Sequence, residues 1–162
     1  MSFIDPLLAL QDVDMQIWRL QQELKQLPAR KKAEENHVQD AAARQRKLDA
    51  SAEGALDASA KEAIDAEIAD ANAFIAEIME REAEIKAEVA GLESQRQELA
   101  KNVNFEHLRI YDRLRVSRHP TIVKLSGGTC GGCHLVQPPA VAHLIKRDNQ
   151  LVTCEMCGRI LY

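Results

Sequence analysis

The chain has 162 residues, a formal net charge of -4, 46% hydrophobic residues and only 4% aromatic residues, so its apolar mass is aliphatic and a core built on large rings is excluded. No stretch reaches the roughly 18 to 20 consecutive apolar residues that a membrane-spanning helix needs. Asp5, Asp12 and Asp14, with no basic residue ahead of the first apolar positions, do not make a signal or transit peptide, and a cytoplasmic protein without a membrane segment is expected.

From Leu10 the apolar positions recur as Leu10, Val13, Ile17, Leu20, Leu24 and Leu27, in the alternating steps of three and four that a coiled-coil seam requires. The frame continues more weakly through Lys31, Glu34, Val38, Ala41, Gln45 and Leu48. Pro28 falls inside this arm, where it removes a backbone donor and predicts a kink near Gln26 or Leu27. A second run repeats the pattern as Ile64, Ile68, Ala71, Ile75, Ile78, Glu82, Ile85, Val89, Leu92, Arg96, Leu99 and Val103, with Glu82 and Arg96 as charged intruders.

Between the runs, Asp49 to Ser59 holds Gly54, two Ser and two Asp, and reads as the tip of an antiparallel hairpin. Each arm is expected to run about 45 to 55 residues, roughly 70 to 80 Å at 1.5 Å per residue. Alanine fills 14 of the 36 positions from 41 to 76, which favours helix and lets the two backbones approach closely near the tip. After Val103 the register slips: Phe105, Leu108, Tyr111, Leu114 and Arg115 cover a different surface, the joint with whatever follows Pro120. His119 and Pro120 should end the helix, because the residue before proline is driven out of the helical region. The domain reading is therefore a hairpin over 1–118, with its tip near 49–59, and a small module over 119–162.

Cys130 and Cys133 form one C-x-x-C, Cys154 and Cys157 form another, and 20 residues separate the pairs. Two such turns facing each other complete a tetrahedral site with metal to sulfur distances of about 2.3 Å. Structural zinc, one ion per chain, is the leading reading; rubredoxin-type iron and a redox switch are the alternatives. Two disulfides fit a reducing compartment poorly. Gly131, Gly132 and Gly158 are expected to supply the freedom that the turns need. Around them, Thr121 to Leu125, Gln150 to Thr153 and Arg159 to Tyr162 read as strands, and Pro138 and Pro139 start a helix over Ala140 to Lys146.

The stretch Cys130-Gly-Gly-Cys-His134, then Gln137-Pro138-Pro139, Val152 to Cys154 and Cys157-Gly-Arg-Ile-Leu-Tyr162 resembles the C-terminal signature of the bacterial C4-type zinc-ribbon coiled-coil family. Leu108-x-x-Tyr111-x-x-Leu114 and Leu7-x-x-Leu10-x-x-Val13-Asp14 resemble it as well. The resemblance implies a long antiparallel coiled coil carrying a zinc ribbon. It also implies nucleic-acid binding or, by analogy with flagellar and secretion-associated relatives, a partner or chaperone role toward a sigma-54 type transcription factor.

The fold class expected is thus mainly α, a long antiparallel coiled-coil hairpin with a small, β-containing C-terminal zinc ribbon. His37, His107, His119, His134 and His143 are scattered and read as solvated or packed; His134, next to a ligand, could donate to a sulfur. No nucleophile, base and acid arrangement or phosphate-binding loop is present, so the chain is read as no enzyme. Charge is uneven: residues 40–94 sum to -8, 95–118 to +3 and 119–162 to +2. Arg109, Arg113, Arg115, Arg118, Lys124, Lys146, Arg147 and Arg159 form a candidate surface for an acidic protein or nucleic acid, with Tyr111 and Tyr162 expected in the core of the joint. The function expected is a zinc-binding interaction or adaptor protein with a protein partner, in transcription or secretion machinery. The alternative is a nucleic-acid-binding protein that uses the basic joint.

Overall fold

A computed structural model describes residues 3–50, 58–147 and 150–162. The chain is mainly helical: α1 spans Asp5–Ala50, α2 Ala58–Ala100, α3 Phe105–Arg115 and α4 Pro139–Arg147. Five two-residue strands complete it: β1 Ile122–Val123, β2 Leu125–Ser126, β3 Thr129–Cys130, β4 Val152–Thr153 and β5 Ile160–Leu161. None of the helices among the described residues is long and apolar enough to cross a membrane. By packing, the chain divides into two compact units, Leu20–Val89 and the combination of Met1–Arg19 with Ala90–Tyr162.

In the Leu20–Val89 unit the two arms run antiparallel within one chain. Glu23 faces Arg81, His37 and Arg44 face Glu67, Gln45 faces Asp65 and Asp49 faces Lys61. Leu27, Ile78 and Ile85 form the core here, with Leu20, Leu24, Phe74 and Val89 against it. Ala41, Ile64 and Ala71 are also buried, as close approach of two small-residue seams demands. All the frame positions of the sequence reading in this unit are buried or half-buried, including the charged Lys31, Glu34 and Glu82. Pro28 is exposed and α1 stays helical through it. The tip assigned to Asp49 to Ser59 falls mainly on 51–57, Gly54 among them, outside the described residues.

The second arm does not run on to residue 118 as one helix. It stops at Ala100, and α3 restarts after Asn104, whose side-chain oxygen accepts the amide of Glu106 at 2.9 Å and caps the new helix. Val103 before the cap and Leu108 in the first turn are both half-buried against one core, the apolar staple that sets the entry angle. The loss of register after Val103 coincides with this helix break, and α3 covers the surface expected of it, with Tyr111 packed against Ile122 and Ile160 beyond Pro120.

The unit that joins the chain's outer segments has two cores. Ile4, Leu7 and Leu10 of α1 pack with Tyr111, Ile122 and Ile160. Val123, Cys130, Val141, Val152, Cys154 and Leu161 form the second. β5 is the central strand of a three-stranded sheet, parallel to β1 (Ile122 beside Ile160) and antiparallel to β4 (Thr153 beside Ile160). β2 and β3 form a hairpin whose two-residue loop, Gly127 and Gly128, has φ of 57° and 78°, the left-handed pair that a tight type I′ turn requires. The free edge of β1 is closed by one side chain: Gln11 accepts the Ile122 amide at 2.5 Å and donates to the Ile122 carbonyl at 3.0 Å.

Beside the first core lies a buried polar cluster absent from the sequence reading. Asp14 is only 7% exposed; its Oδ2 accepts from the Tyr111 hydroxyl at 2.8 Å, and its Oδ1 from Arg96 Nε at 2.8 Å and Arg115 Nη1 at 3.0 Å. Asp112 joins Arg96 and Arg115 from the other side. Burial, and then the Asp14 carboxylate, push the Tyr111 hydroxyl far above the usual phenol range, so it is a fixed donor. Arg96, a seam intruder by pattern, is the countercharge that lets Asp14 be buried.

Asp14→Ala leaves Arg96 and Arg115 with Asp112 alone and the buried Tyr111 hydroxyl without its acceptor, and is expected to cost about 3 kcal/mol. Tyr111→Phe, which removes one of three donors, is expected to cost about 1 kcal/mol. Urea unfolding followed by near-UV and far-UV signals measures both, and equal losses for the two variants would contradict the assignment of Asp14 as the hub.

Candidate metal centre

The four thiols converge as the spacing required. Cys130 follows the Gly127-Gly128 turn in β3, Cys133 ends the first knuckle, Cys154 follows β4, and Cys157 ends the second knuckle before β5. Cys130 Sγ lies 3.8 Å from Cys157 Sγ, Cys133 Sγ lies 3.7 Å from Cys154 Sγ, and all four fall within 4.8 Å of one another. A tetrahedron with arms of about 2.3 Å has edges of about 3.8 Å, so the donor set fits zinc. The same distances are far beyond a sulfur–sulfur bond of about 2.05 Å, and all four cysteines are free. Cys130 and Cys154 are buried, and Cys133 and Cys157 are half-buried.

The two knuckles repeat one backbone plan. In the first, the His134 amide donates to the Cys130 carbonyl at 2.9 Å; in the second, the Gly158 amide donates to the Cys154 carbonyl at 2.9 Å. The residue after the second cysteine of each pair is left-handed, with φ of 60° at His134 and 73° at Gly158. Of the three glycines singled out in sequence, only Gly158 serves by its conformation. Gly131 serves by close approach, since a Cβ there would sit 2.8 Å from the Lys124 carbonyl oxygen. His134 is exposed, and its part in the knuckle is its backbone rather than a bond to sulfur.

Backbone amides two residues beyond the cysteines point at the sulfurs: Gly132 at Cys130 (3.4 Å), Leu135 at Cys133 and Arg159 at Cys157. These donors favour thiolate. Burial pushes the Cys157 thiol up, but the Arg159 amide and guanidinium and the neighbouring thiols outweigh it, and Cys157 falls to about 6. At Cys133 the Leu135 amide works the same way, yet burial and the other three sulfurs prevail and lift the thiol to about 11. Four thiolates this close do not ionise together on their own, and a dication is the partner that this chemistry calls for. Gln137, buried and unassigned by sequence, ties the knuckles together: it donates to the Leu135 carbonyl at 3.3 Å, and its oxygen accepts the Glu155 amide at 3.3 Å. The only earlier signal was its place in the Gln-Pro-Pro run.

The eight basic residues differ in what holds them. Arg115 is bound to Asp14 and Asp112, Arg159 donates to the Pro120 carbonyl at 2.8 Å, and Arg118 donates to the Cys157 carbonyl at 3.0 Å. Arg109, Arg113, Lys124, Lys146 and Arg147 are exposed, the first with Glu106 at 3.5 Å. Tyr111 is fully buried as expected; Tyr162, at 38%, is exposed instead, because it lies beyond the last strand. His119 stacks on Trp18 at 5.0 Å and His107 leans on Phe3 at 4.9 Å, so both are packing residues.

Residues 129–161 match the family model for the C4-type zinc ribbon domain. No protein with a curated description matches the chain. Among solved structures, CT398 from Chlamydia trachomatis is similar over 99% of this chain and 97% of its own, with 21% identity and a TM-score of 0.68. The HP0958 protein from Helicobacter pylori aligns over 99% and 87%, with 18% identity and a TM-score of 0.39. A protein from Mycobacterium smegmatis aligns over 99% of both chains, with 19% identity and a TM-score of 0.44. The likeness to CT398 is one of fold. The tail of this chain is a C4-type zinc ribbon domain whose four cysteines form a zinc-type cluster.

Proposed function

We propose that the protein is a non-catalytic adaptor of a reducing, cytoplasmic compartment, with one structural zinc ion held by Cys130, Cys133, Cys154 and Cys157 and a protein as its partner. The observation that carries this reading is the closed tetrathiolate cluster: four sulfurs fill a tetrahedral ion and leave no position for water or substrate. When bound, the ion supplies folding energy to a ribbon whose strands are only two residues long. A role beside transcription or secretion machinery, including the sigma-54 link, rests on the resemblance alone.

The nucleic-acid alternative loses support from the fate of the basic residues. Three of the eight are occupied by internal bonds, which leaves fewer guanidiniums for phosphates.

Elemental analysis of the purified chain is expected to give one zinc per monomer, and chelation should melt the ribbon while leaving most helical signal of the Leu20–Val89 unit. Cys157→Ser should act like the chelator. Gly158→Ala forces a Cβ into a left-handed position and should cost about 1–2 kcal/mol, whereas His134→Gly relieves the same strain in the other knuckle and should not destabilise. Iron, or absence of metal with paired cysteines, would refute the assignment.

Binding to duplex DNA or RNA is expected to be weak near physiological salt. A steep fall of affinity with salt, about 0.9 in log slope per phosphate on duplex DNA, abolished by Arg109→Ala and Arg113→Ala together, would replace the adaptor by the nucleic-acid reading.

A further inference from the structure

Helix α3 has two unlike faces. Tyr111 is fully buried and Leu108, Leu114 and Arg115 are half-buried, all committed to the core or to Asp14. On the opposite side, at about 100° per residue, Phe105, Val116, Arg109 and Arg113 fall within an arc of about 80°. Val116 is 80% exposed and Phe105 72%, so two large hydrophobic side chains on this side stand almost wholly in solvent. Arg109 has only the 3.5 Å contact with Glu106, and Arg113 has no ion pair among the described residues. A depression of about 480 Å³ lies between Arg109, Ile110 and Arg113.

Neither local folding nor self-association accounts for this stripe. At the start of α3, Val103 and Leu108 pack against the core and Phe105 does not, so Phe105 is not needed to seat the helix. A second copy packed antiparallel on this face sets the Arg109–Arg113 pair of one molecule against the same pair of the other, and a parallel one does likewise; four guanidiniums then meet at the centre. Duplex phosphate backbones make use of the arginines and leave Phe105 and Val116 in water. The pattern asks for a complement with apolar residues about 16 Å apart, matching eleven residues of helix, and carboxylates between them. Arginine and aromatic side chains are also the residue types that concentrate binding energy at interfaces.

We propose that the outward face of α3 and its C-cap, built from Phe105, Arg109, Arg113 and Val116, docks an acidic amphipathic helix of another protein. The inference rests on the adaptor reading and names the chemistry of its partner. Phe105 and Val116 anchor the apolar ends of the incoming helix, and the two guanidiniums take its carboxylates at the middle, in a site dry enough for those pairs to discriminate charge.

The test is selection of amphipathic helical peptides, displayed with random polar positions, against the full zinc-loaded chain. Enriched sequences should carry two carboxylates about one turn apart between apolar residues about 16 Å apart. Their affinity should fall roughly tenfold or more in Arg109→Glu/Arg113→Glu and in Phe105→Ala/Val116→Ala. The charge-reversed chain should in turn bind the same peptide with lysines in place of its carboxylates. Thermal transitions and zinc content of these surface variants should match the parent chain.

Enrichment of neutral or basic peptides, no enrichment, affinity unmoved by the four substitutions, or failure of the lysine rescue overturns the proposal. So does tighter binding of a single-stranded RNA oligonucleotide or of phosphatidylserine vesicles through the same residues. Any of these with zinc content and weak nucleic-acid binding as expected removes this docking face and leaves the adaptor reading standing.

Discussion

The burial of one carboxylate organises the larger unit of this protein. An aspartate at 7% exposure is tolerable only where donors surround it, and Asp14 draws its donors from two other helices, Arg96 of α2 and Tyr111 and Arg115 of α3. Three helices are thereby fixed in register by directional bonds, where aliphatic packing alone would permit sliding. The apolar core next to it then has a defined geometry: Leu7 and Leu10 lie against Tyr111, and Ile122 and Ile160 close the far side. Specificity from a buried polar hub and stability from the apolar residues around it are separate contributions, and this unit uses both.

The ribbon depends on that arrangement at one side and on its cysteines at the other. β1 is paired along one edge with β5 and along the other with the Gln11 amide group, so a helix side chain does the work of a strand. The thiol cluster lies in the second core with Val123, Val141, Val152 and Leu161. Short strands with few ladder bonds are held because each end is anchored by something stronger than pairing: a core helix at one end and sulfur ligands at the other.

Much of this was legible in the sequence, and the parts that were not share a cause. The 3-4 spacing located most seam residues, Phe74 excepted, because coiled-coil burial is periodic and reads directly from residue type. The cysteine spacing located the metal cluster, because knuckle geometry is local. Arg96 has the pattern of an intruder in the seam, Gln11 carries no signal, and Gln137 stands out only as part of the Gln-Pro-Pro run. The partners of these three lie 82, 111 and 18 residues away, and polar pairing over such separations leaves no periodic trace. The stop at Ala100 was readable in hindsight from Asn104 followed by Phe-Glu, a capping signal masked by the strength of the seam before it. The basic tail of the helical part looked like one surface because composition does not distinguish a solvated arginine from Arg115, which faces inward.

The nesting of the two units also bears on how the chain acquires its structure during synthesis. Residues 20–89 pair with each other and are complete once that stretch has left the ribosome. Leu7 and Leu10, by contrast, are covered by Tyr111 and Ile160, so these leucines wait for segments made long after them. At elongation rates of about 5–20 residues per second, that interval lasts on the order of ten seconds, during which the N-terminal leucines remain open to chaperones and proteases. A chain that stops before Tyr111 leaves the same leucines without the later residues of that core.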